Sequence, residues 1–308
     1  MKKAWIFPGQ GSQYEGFLYA LPKLSIIQTT LEEASEFLNT DIRRLGTAET
    51  LKSTRNVQLT MLTAGVAAAR AFLHEGAKPD YVAGHSIGAF AAAVTSDVLT
   101  FEDALQLVRL RGELMESLQD HDYGMAVVVG MPESHLLEII AHFHTEQKPV
   151  YVSNRNAPQQ LTLSGHKEAM QRVIDFIEGK GVSTAKMLNV STPSHCPLFL
   201  SVQNRLAEEM SSLSLQRPKF PFISNRNARV LRQPTAIAQD LAESIALPVR
   251  WHDATSILFE NGVRQFIEMP PGDVLKKLAQ SAFPGADSYS IDKNGFDDCL
   301  YLAKNKGV

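Results

Sequence analysis

The sequence predicts an α/β protein: a large domain on a mostly parallel sheet, interrupted by a small subdomain of mixed strands and helices. Three observations predict it. Strand-like Tyr81-Val82-Ala83-Gly84 passes through a tight Gly-His-Ser-Ile-Gly turn into Phe90-Ala91-Ala92-Ala93-Val94, small and apolar enough to pack closely on a sheet as a helix. A second apolar run, Arg264 to Met269, breaks at Pro270-Pro271-Gly272 and continues as helix from Val274-Leu275, as βα loops of parallel sheets do. Between these two units, residues 123–189 read as strand, helix, strand, strand, helix, strand.

In chain order, Ala4 to Phe7 is a first strand, cut off by the glycine-rich loop Pro8-Gly9-Gln10-Gly11-Ser12-Gln13. That loop is neither a P-loop nor a dinucleotide fingerprint, because no Gly-Lys-Ser/Thr follows and G-x-G-x-x-G fails at Tyr14. Leu31 to Leu38 and the alanine-rich stretch Val57 to Leu73 read as helices, the second buried. Gln58 lies near the start of the latter and reads first as a helix cap. Thr100 with Asp103 approaches a capping box, opening a helix through Leu105, Leu110 and Met115. Arg109 and Arg111 both lie on that helix but, two apart, point in different directions; Arg109 reads as a surface charge.

The insert contains strands at Met125–Gly130, Val150–Val152, Gln160–Ser164 and Ala185–Leu188, with helices over 132–143 and 167–181. That order is a ferredoxin-like, split βαβ arrangement. The expected division is therefore a large α/β-hydrolase-like domain from residues 1–122 and 190–308, with 123–189 inserted. The returning chain predicts helices at 198–212, 235–246 and from Pro248 to about 261, and a strand at Phe220–Ser224.

Composition narrows the function classes. The 308 residues are 44% hydrophobic and 20% charged, enough for a large core. A net charge of −3 without a basic stretch gives no electrostatic support for nucleic acid or an anionic membrane. Two cysteines, Cys196 and Cys299, exclude a disulfide framework and fit a reducing compartment. Ala4 to Phe7 is too short for a signal peptide, and no run approaches the roughly 18 apolar residues of a membrane span. The expectation is a cytoplasmic protein that binds no metal and no resident cofactor.

The chemistry is carried by the G-x-S-x-G turn, a nucleophile elbow. Glycines at 84 and 88 let strand and helix approach, and lift the Ser86 hydroxyl to a helix N-terminus that favours negative charge. A serine hydroxyl needs a base to take its proton and donors to hold the oxyanion that follows. Of nine histidines, His195 is the strongest candidate base, because Pro193 and Pro197 stiffen its segment. The backbone N–H of Ile87 and one from the Gly9-Gln10-Gly11 loop are candidate oxyanion donors. No acid is selected as a third member: Asp253 and Glu268 are available, and a backbone carbonyl would orient the ring equally well. These residues predict acyl transfer through an acyl-serine, to water or to another nucleophile. A serine esterase or thioesterase therefore stays open beside a transferase.

Five segments, in register along nearly the whole chain, resemble the malonyl-CoA:acyl-carrier-protein transacylase family. They are Phe7-Pro8-Gly9-Gln10-Gly11-Ser12-Gln13, Gly84-His85-Ser86-Ile87-Gly88, Arg111-Gly112, Pro193-Ser194-His195-Cys196 and Pro271-Gly272-Asp273-Val274-Leu275. The resemblance implies that Ser86 is the nucleophile and His195 its base, with Gln10 and Ile87 forming the oxyanion hole. It implies that Arg111 pairs with the malonyl carboxylate, that Gln58 sits beside the acyl pocket, and that Asn154 and Asn156 lie near the pantetheine arm. A carbonyl at Leu247 would orient the histidine. The implied substrates are malonyl-CoA and the phosphopantetheine-type arm of an acyl carrier protein. Where the family usually continues the elbow as Gly-Glu-Tyr, this chain has Gly88-Ala89-Phe90. Together with Met269-Pro270-Pro271-Gly272, that departure looks like the transacylase (epsilon) subunit of biotin-independent malonate decarboxylase, which moves malonyl from CoA to the phosphoribosyl-dephospho-CoA arm of a small carrier subunit; this implies that other subunits of that enzyme are partners. The alternative is the enzyme of fatty-acid synthesis.

Overall fold

The computed structural model describes residues 1–118, 120–190 and 192–305. The chain begins with β1 (Lys2–Phe7), α1 (Ser25–Leu38), α2 (Thr54–His74), β2 (Tyr81–Gly84), α3 (Gly88–Thr95) and α4 (Phe101–Ser117). Next come β3 (Tyr123–Val129), α5 (Glu133–Phe143), β4 (Val150–Ala157), β5 (Gln160–His166), α6 (Lys167–Ile177) and β6 (Thr184–Met187). The remainder is α7 (Leu200–Ser211), β7 (Phe222–Ile223), β8 (Val230–Leu231), α8 (Pro234–Glu243), α9 (Trp251–Glu260), β9 (Val263–Glu268), α10 (Val274–Ala282), β10 (Asp287–Ser290), α11 (Ile291–Asn294) and α12 (Phe296–Lys304).

Two sheets result, and the fold is mixed α/β with a parallel-rich main sheet. Six strands run in the order β10-β9-β1-β2-β7-β8, all parallel except the β7–β8 pair. The central strand β1 is buried at five of its six positions, which is why it reads as a continuous apolar run. Trp5, Phe7, Phe72 and Phe90 fill the core on one face of this sheet; Ala4, Ile6, Trp251 and Phe266 fill the other. The second sheet is antiparallel, in the order β4-β5-β3-β6, and packs α5 and α6, through Leu136, Ile140 and Val173, over Val128, Leu161 and Leu163.

Local chemistry accounts for the helix ends that frame the site. Ser53 caps α2 by accepting the Asn56 N–H, and Thr100 caps α4 by accepting that of Asp103. The predicted helix from Pro248 begins only at Trp251. Val249 is extended instead, because its N–H bonds the Ser153 carbonyl and its carbonyl accepts the Arg155 N–H. This short parallel bridge, Asn154 opposite Val249, joins the small sheet to the large one. The predicted helix to Ala246 ends at Glu243, freeing the carbonyls that follow. The predicted strand at 220–224 shortens to Phe222–Ile223 and turns into β8.

Candidate active site

The elbow is built by close packing. A Cβ on Gly84 would lie 2.1 Å from the backbone carbon of Gly88, and one on Gly88 would lie 2.2 Å from the Phe7 carbonyl oxygen. Only glycine lets β2, the turn and α3 stack against β1 in this way. Ser86 has φ = 53°, a left-handed conformation that costs a non-glycine residue about 1–3 kcal/mol. His195 is also left-handed, at φ = 63°. Both strained residues line one cavity of about 400 Å³.

His195 Nε2 lies 2.7 Å from Ser86 Oγ, and its Nδ1 lies 2.5 Å from the Ser244 carbonyl oxygen. A carbonyl accepts only, so Nδ1 carries the proton and Nε2 is the free acceptor facing the hydroxyl. The ring is buried, and that burial, helped by the Arg111 cation, pushes its pKa down to about 3 against the pull of the Ser244 and Leu247 carbonyls. The base is therefore neutral and ready at physiological pH. The resemblance pointed to Leu247 as the orienting carbonyl; the Leu247 carbonyl does act on the ring, and the short Nδ1 hydrogen bond goes to the carbonyl of Ser244, the residue that caps α8. Asp253 instead pairs with Arg250 at the surface, and Glu268 accepts the N–H groups of Leu275 and Lys276 at the start of α10.

Arg111 enters from α4, buried and aimed at Ser86. Its Nη2 donates to Ser86 Oγ at 3.2 Å and its Nη1 donates to Gln58 Oε1 at 2.6 Å. Gln58 is itself fully buried, with its amide 3.0 Å from the Met115 sulfur. It is not a cap, since Ser53 fills that role five residues earlier. The two helices come this close because residue 112 is glycine: a Cβ there would lie 2.5 Å from the Arg55 Cα. Burial lowers the Arg111 pKa to about 9, so the guanidinium stays cationic at neutral pH. Its Nε is buried without a partner, leaving hydrogen-bonding capacity for an anion. Arg109 lies over the Phe37 ring, outside the cavity lining.

Gln10 and Ile87 both line the cavity, and among the described residues neither backbone N–H gives a hydrogen bond to the protein. Asn154 and Asn156 reach the same cavity from β4. The Asn154 side-chain oxygen is buried and unpartnered, whereas Asn156 Oδ1 lies 3.0 Å from His85 Nε2. Burial lowers the pKa of His85, so it remains neutral and donates to Asn156. Two residues escaped the sequence reading: Ser244, and Asn225, whose side chain grips the elbow. The signal for Asn225 was a polar cluster, Ser224-Asn225-Arg226-Asn227, at the carboxyl end of a sheet strand. Among the described residues, no His/Cys/Asp/Glu group has the makings of a metal site.

A hydroxyl on a strained turn, a neutral base at 2.7 Å, two free N–H groups and a buried cation form a complete set for acyl transfer through serine. The acyl transferase domain family matches residues 4–292. The chain belongs to this family. The acyl transferase is 34% identical over 283 residues to the malonyl CoA-acyl carrier protein transacylase of Salmonella typhimurium, covering 90% of this chain and 91% of the relative. It superposes on the acyl-carrier-protein S-malonyltransferase of Burkholderia pseudomallei with a TM-score of 0.92 at 34% identity, covering 98% and 100% of the two chains. A malonyl-transacylase solved in complex with a type II polyketide acyl-carrier protein superposes with a TM-score of 0.91 at 31% identity, over 98% of this acyl transferase and 100% of that chain. No helix among the described residues is long and apolar enough to cross a membrane.

Proposed function

We propose that the chain is a malonyl-CoA:acyl carrier protein transacylase, working through a malonyl-serine at Ser86. The observation that carries this reading is Arg111, a buried cation 3.2 Å from the Ser86 hydroxyl in a cavity of small volume. A fixed guanidinium there selects an acyl group that ends in a carboxylate. The names of the relatives support the same donor and acceptor.

In the first half-reaction Ser86 Oγ attacks the thioester carbon while its proton moves to His195 Nε2. The N–H groups of Gln10 and Ile87 receive the developing oxyanion, and the ring's Nδ1–H stays on the Ser244 carbonyl. Collapse of the adduct breaks the C–S bond, and the departing CoA thiolate takes the proton from Nε2. The second half-reaction runs in reverse with a carrier thiol: its proton goes to His195, its sulfur attacks the malonyl-serine, and Ser86 leaves with the proton. On this reading 123–189 is an inserted domain that walls the pantetheine channel. Asn154 accepts an amide N–H of the arm through its unpartnered oxygen, and Asn156 offers its free amide.

The fatty-acid-synthesis type of carrier is better supported than the malonate decarboxylase subunit. The relatives named malonyl CoA-acyl carrier protein transacylase support it, and Ala89 and Phe90, which suggested the latter, are buried in α3 and make no part of the cavity lining. Malonyl-CoA labelled in the acyl group should mark the protein, and Ser86→Ala should abolish the label. Offering the labelled enzyme a phosphopantetheine carrier and, separately, a carrier with a phosphoribosyl-dephospho-CoA arm decides the acceptor. Release of free malonate without any thiol would replace the transferase with a thioesterase.

A further inference from the structure

We propose that Asn225, seated by Asp240, is a positioning residue that holds the Ser86 turn in its reactive shape; this rests on reading Ser86 and His195 as nucleophile and base. Strand β7 pairs with β2 through Val82–Phe222 and Ala83–Ile223, which brings the residues just past both strands alongside each other. There the Asn225 side chain replaces the missing strand partner. Its Oδ1 accepts the Ser86 N–H at 3.0 Å and its Nδ2 donates to the Gly84 carbonyl at 2.7 Å. These two backbone groups flank His85, so one side chain closes a ring over the elbow at the residue whose φ is +53°.

Asn225 is itself held at every polar group. Its N–H donates to Asp240 Oδ2 at 3.0 Å, and its carbonyl accepts the Arg250 N–H at 2.7 Å. The other Asp240 oxygen takes the Ser224 hydroxyl and the Arg226 N–H. Asp240 is buried on α8, and the residues ending that helix hold the base: the Ser244 carbonyl at Nδ1, the Ile245 carbonyl at the His195 N–H, 2.7 Å away. One helix end thus sets both sides of the Ser86–His195 hydrogen bond. An apolar residue at 225 would leave two buried backbone groups unpaired, and the turn would relax away from its left-handed conformation.

The test uses the full chain and a fluorophosphonate, which reports the reactivity of Ser86 without depending on the acyl donor. Labelling is followed by intact mass, with a thermal melt for each variant. Asn225→Leu should label about 100-fold more slowly than the parent, as misplacement of a reacting group by about 1 Å does. Asn225→Asp is the sharper variant. Ionised, the new carboxyl accepts the Ser86 N–H but repels the Gly84 carbonyl; protonated, it serves both. Its labelling rate should therefore rise as pH falls from 8 to 5, whereas the parent's should not. The ionisable groups around position 225 are Asp240 and Arg226, with Arg250 just before α9 and His85 and His195 beyond the turn. Asp240 opposes ionisation of the new carboxyl and moves the rise toward neutral pH. Asp240→Asn should lower kcat while leaving the KM for malonyl-CoA unchanged. Parent-like labelling of a folded Asn225→Leu, or an Asn225→Asp rate that does not rise on acidification, would overturn the proposal. Labelling of Ser86→Ala at the parent rate would instead overturn the reading of the nucleophile.

Discussion

Arg111 donates a hydrogen bond to the hydroxyl of Ser86 across 3.2 Å. The same guanidinium is held from behind by Gln58, so its position does not depend on the substrate. Arg111→Ala should cut malonyl loading about 100-fold, the worth of roughly 3 kcal/mol from a charge-assisted pair, and should spare or improve acetyl loading. Gln58→Leu should weaken malonyl loading alone, by about tenfold, because one buried donor loses its partner. Competition between labelled malonyl-CoA and acetyl-CoA measures both; equal losses for the two donors would remove Arg111 from the role.

The pH profile follows from the two buried bases. His195 has its pKa lowered to about 3, so it stays neutral, and able to accept a proton, as pH falls through the range where an ordinary histidine titrates. The kcat/KM for malonyl-CoA, which reports groups of the free enzyme, should stay flat from pH 8 down to about 5. Arg111 keeps its charge over this range although burial lowers its pKa, so the preference for malonyl over acetyl loading should not change with pH. An acid limb centred near 6.5 would contradict the first half of this expectation.

Stability should respond to pH through Glu268. Burial pushes its carboxyl up to about 8 from 4.5, although the N–H groups of Lys276 and Leu275 pull the other way. A raised carboxyl pKa means that the folded chain binds the proton more tightly than the unfolded one. Its contribution is full below the unfolded value of 4.5 and is lost as pH rises through 8. The Tm should accordingly fall between about pH 5 and 8 and level off above that, and Glu268→Gln should flatten that fall. Calorimetry of both proteins across this range makes the comparison.

Gly88→Ala should unfold the protein or destabilise it by more than about 4 kcal/mol, the range of exceptional mutations, since the new Cβ would meet rigid backbone at 2.2 Å. Gly112→Ala tests something different, because its Cβ would press on Arg55 in the first turn of α2, beside Gln58, rather than on the central sheet. It should leave the fold largely intact but draw Arg111 off Gln58, raising the KM for malonyl-CoA more than it lowers Tm.

The elbow was readable in the sequence because its logic is local: strand, glycine, serine, glycine and small-residue helix are consecutive. His195 was readable for a similar reason, since prolines on either side mark a stiff segment. Gln58 was misread as a cap because sequence does not show that α2 already has Ser53 at its start. Ser244 was hidden because the apolar pattern of α8 continues past the point where the helix stops, and the carbonyl that matters belongs to the unwound end. Asn225 was hidden for a different reason. It meets Ser86 only through the pairing of β2 with β7, a contact 139 residues long in sequence. Ala89 and Phe90 face the core, so whatever they say about subgroup is not written in the cavity that meets the acceptor.

The bridge between Asn154 and Val249 has a thermodynamic consequence. Two sheets that share a hydrogen-bonded seam at the cavity cannot melt separately without exposing the N–H groups of Arg155 and Val249. Those amides should exchange with solvent only as slowly as the whole fold opens, unlike amides at the far edge of the small sheet, in β6. A ligand spanning the seam would then tighten both sheets at once, so occupancy of the pocket would be legible as slowed exchange on elements it never touches.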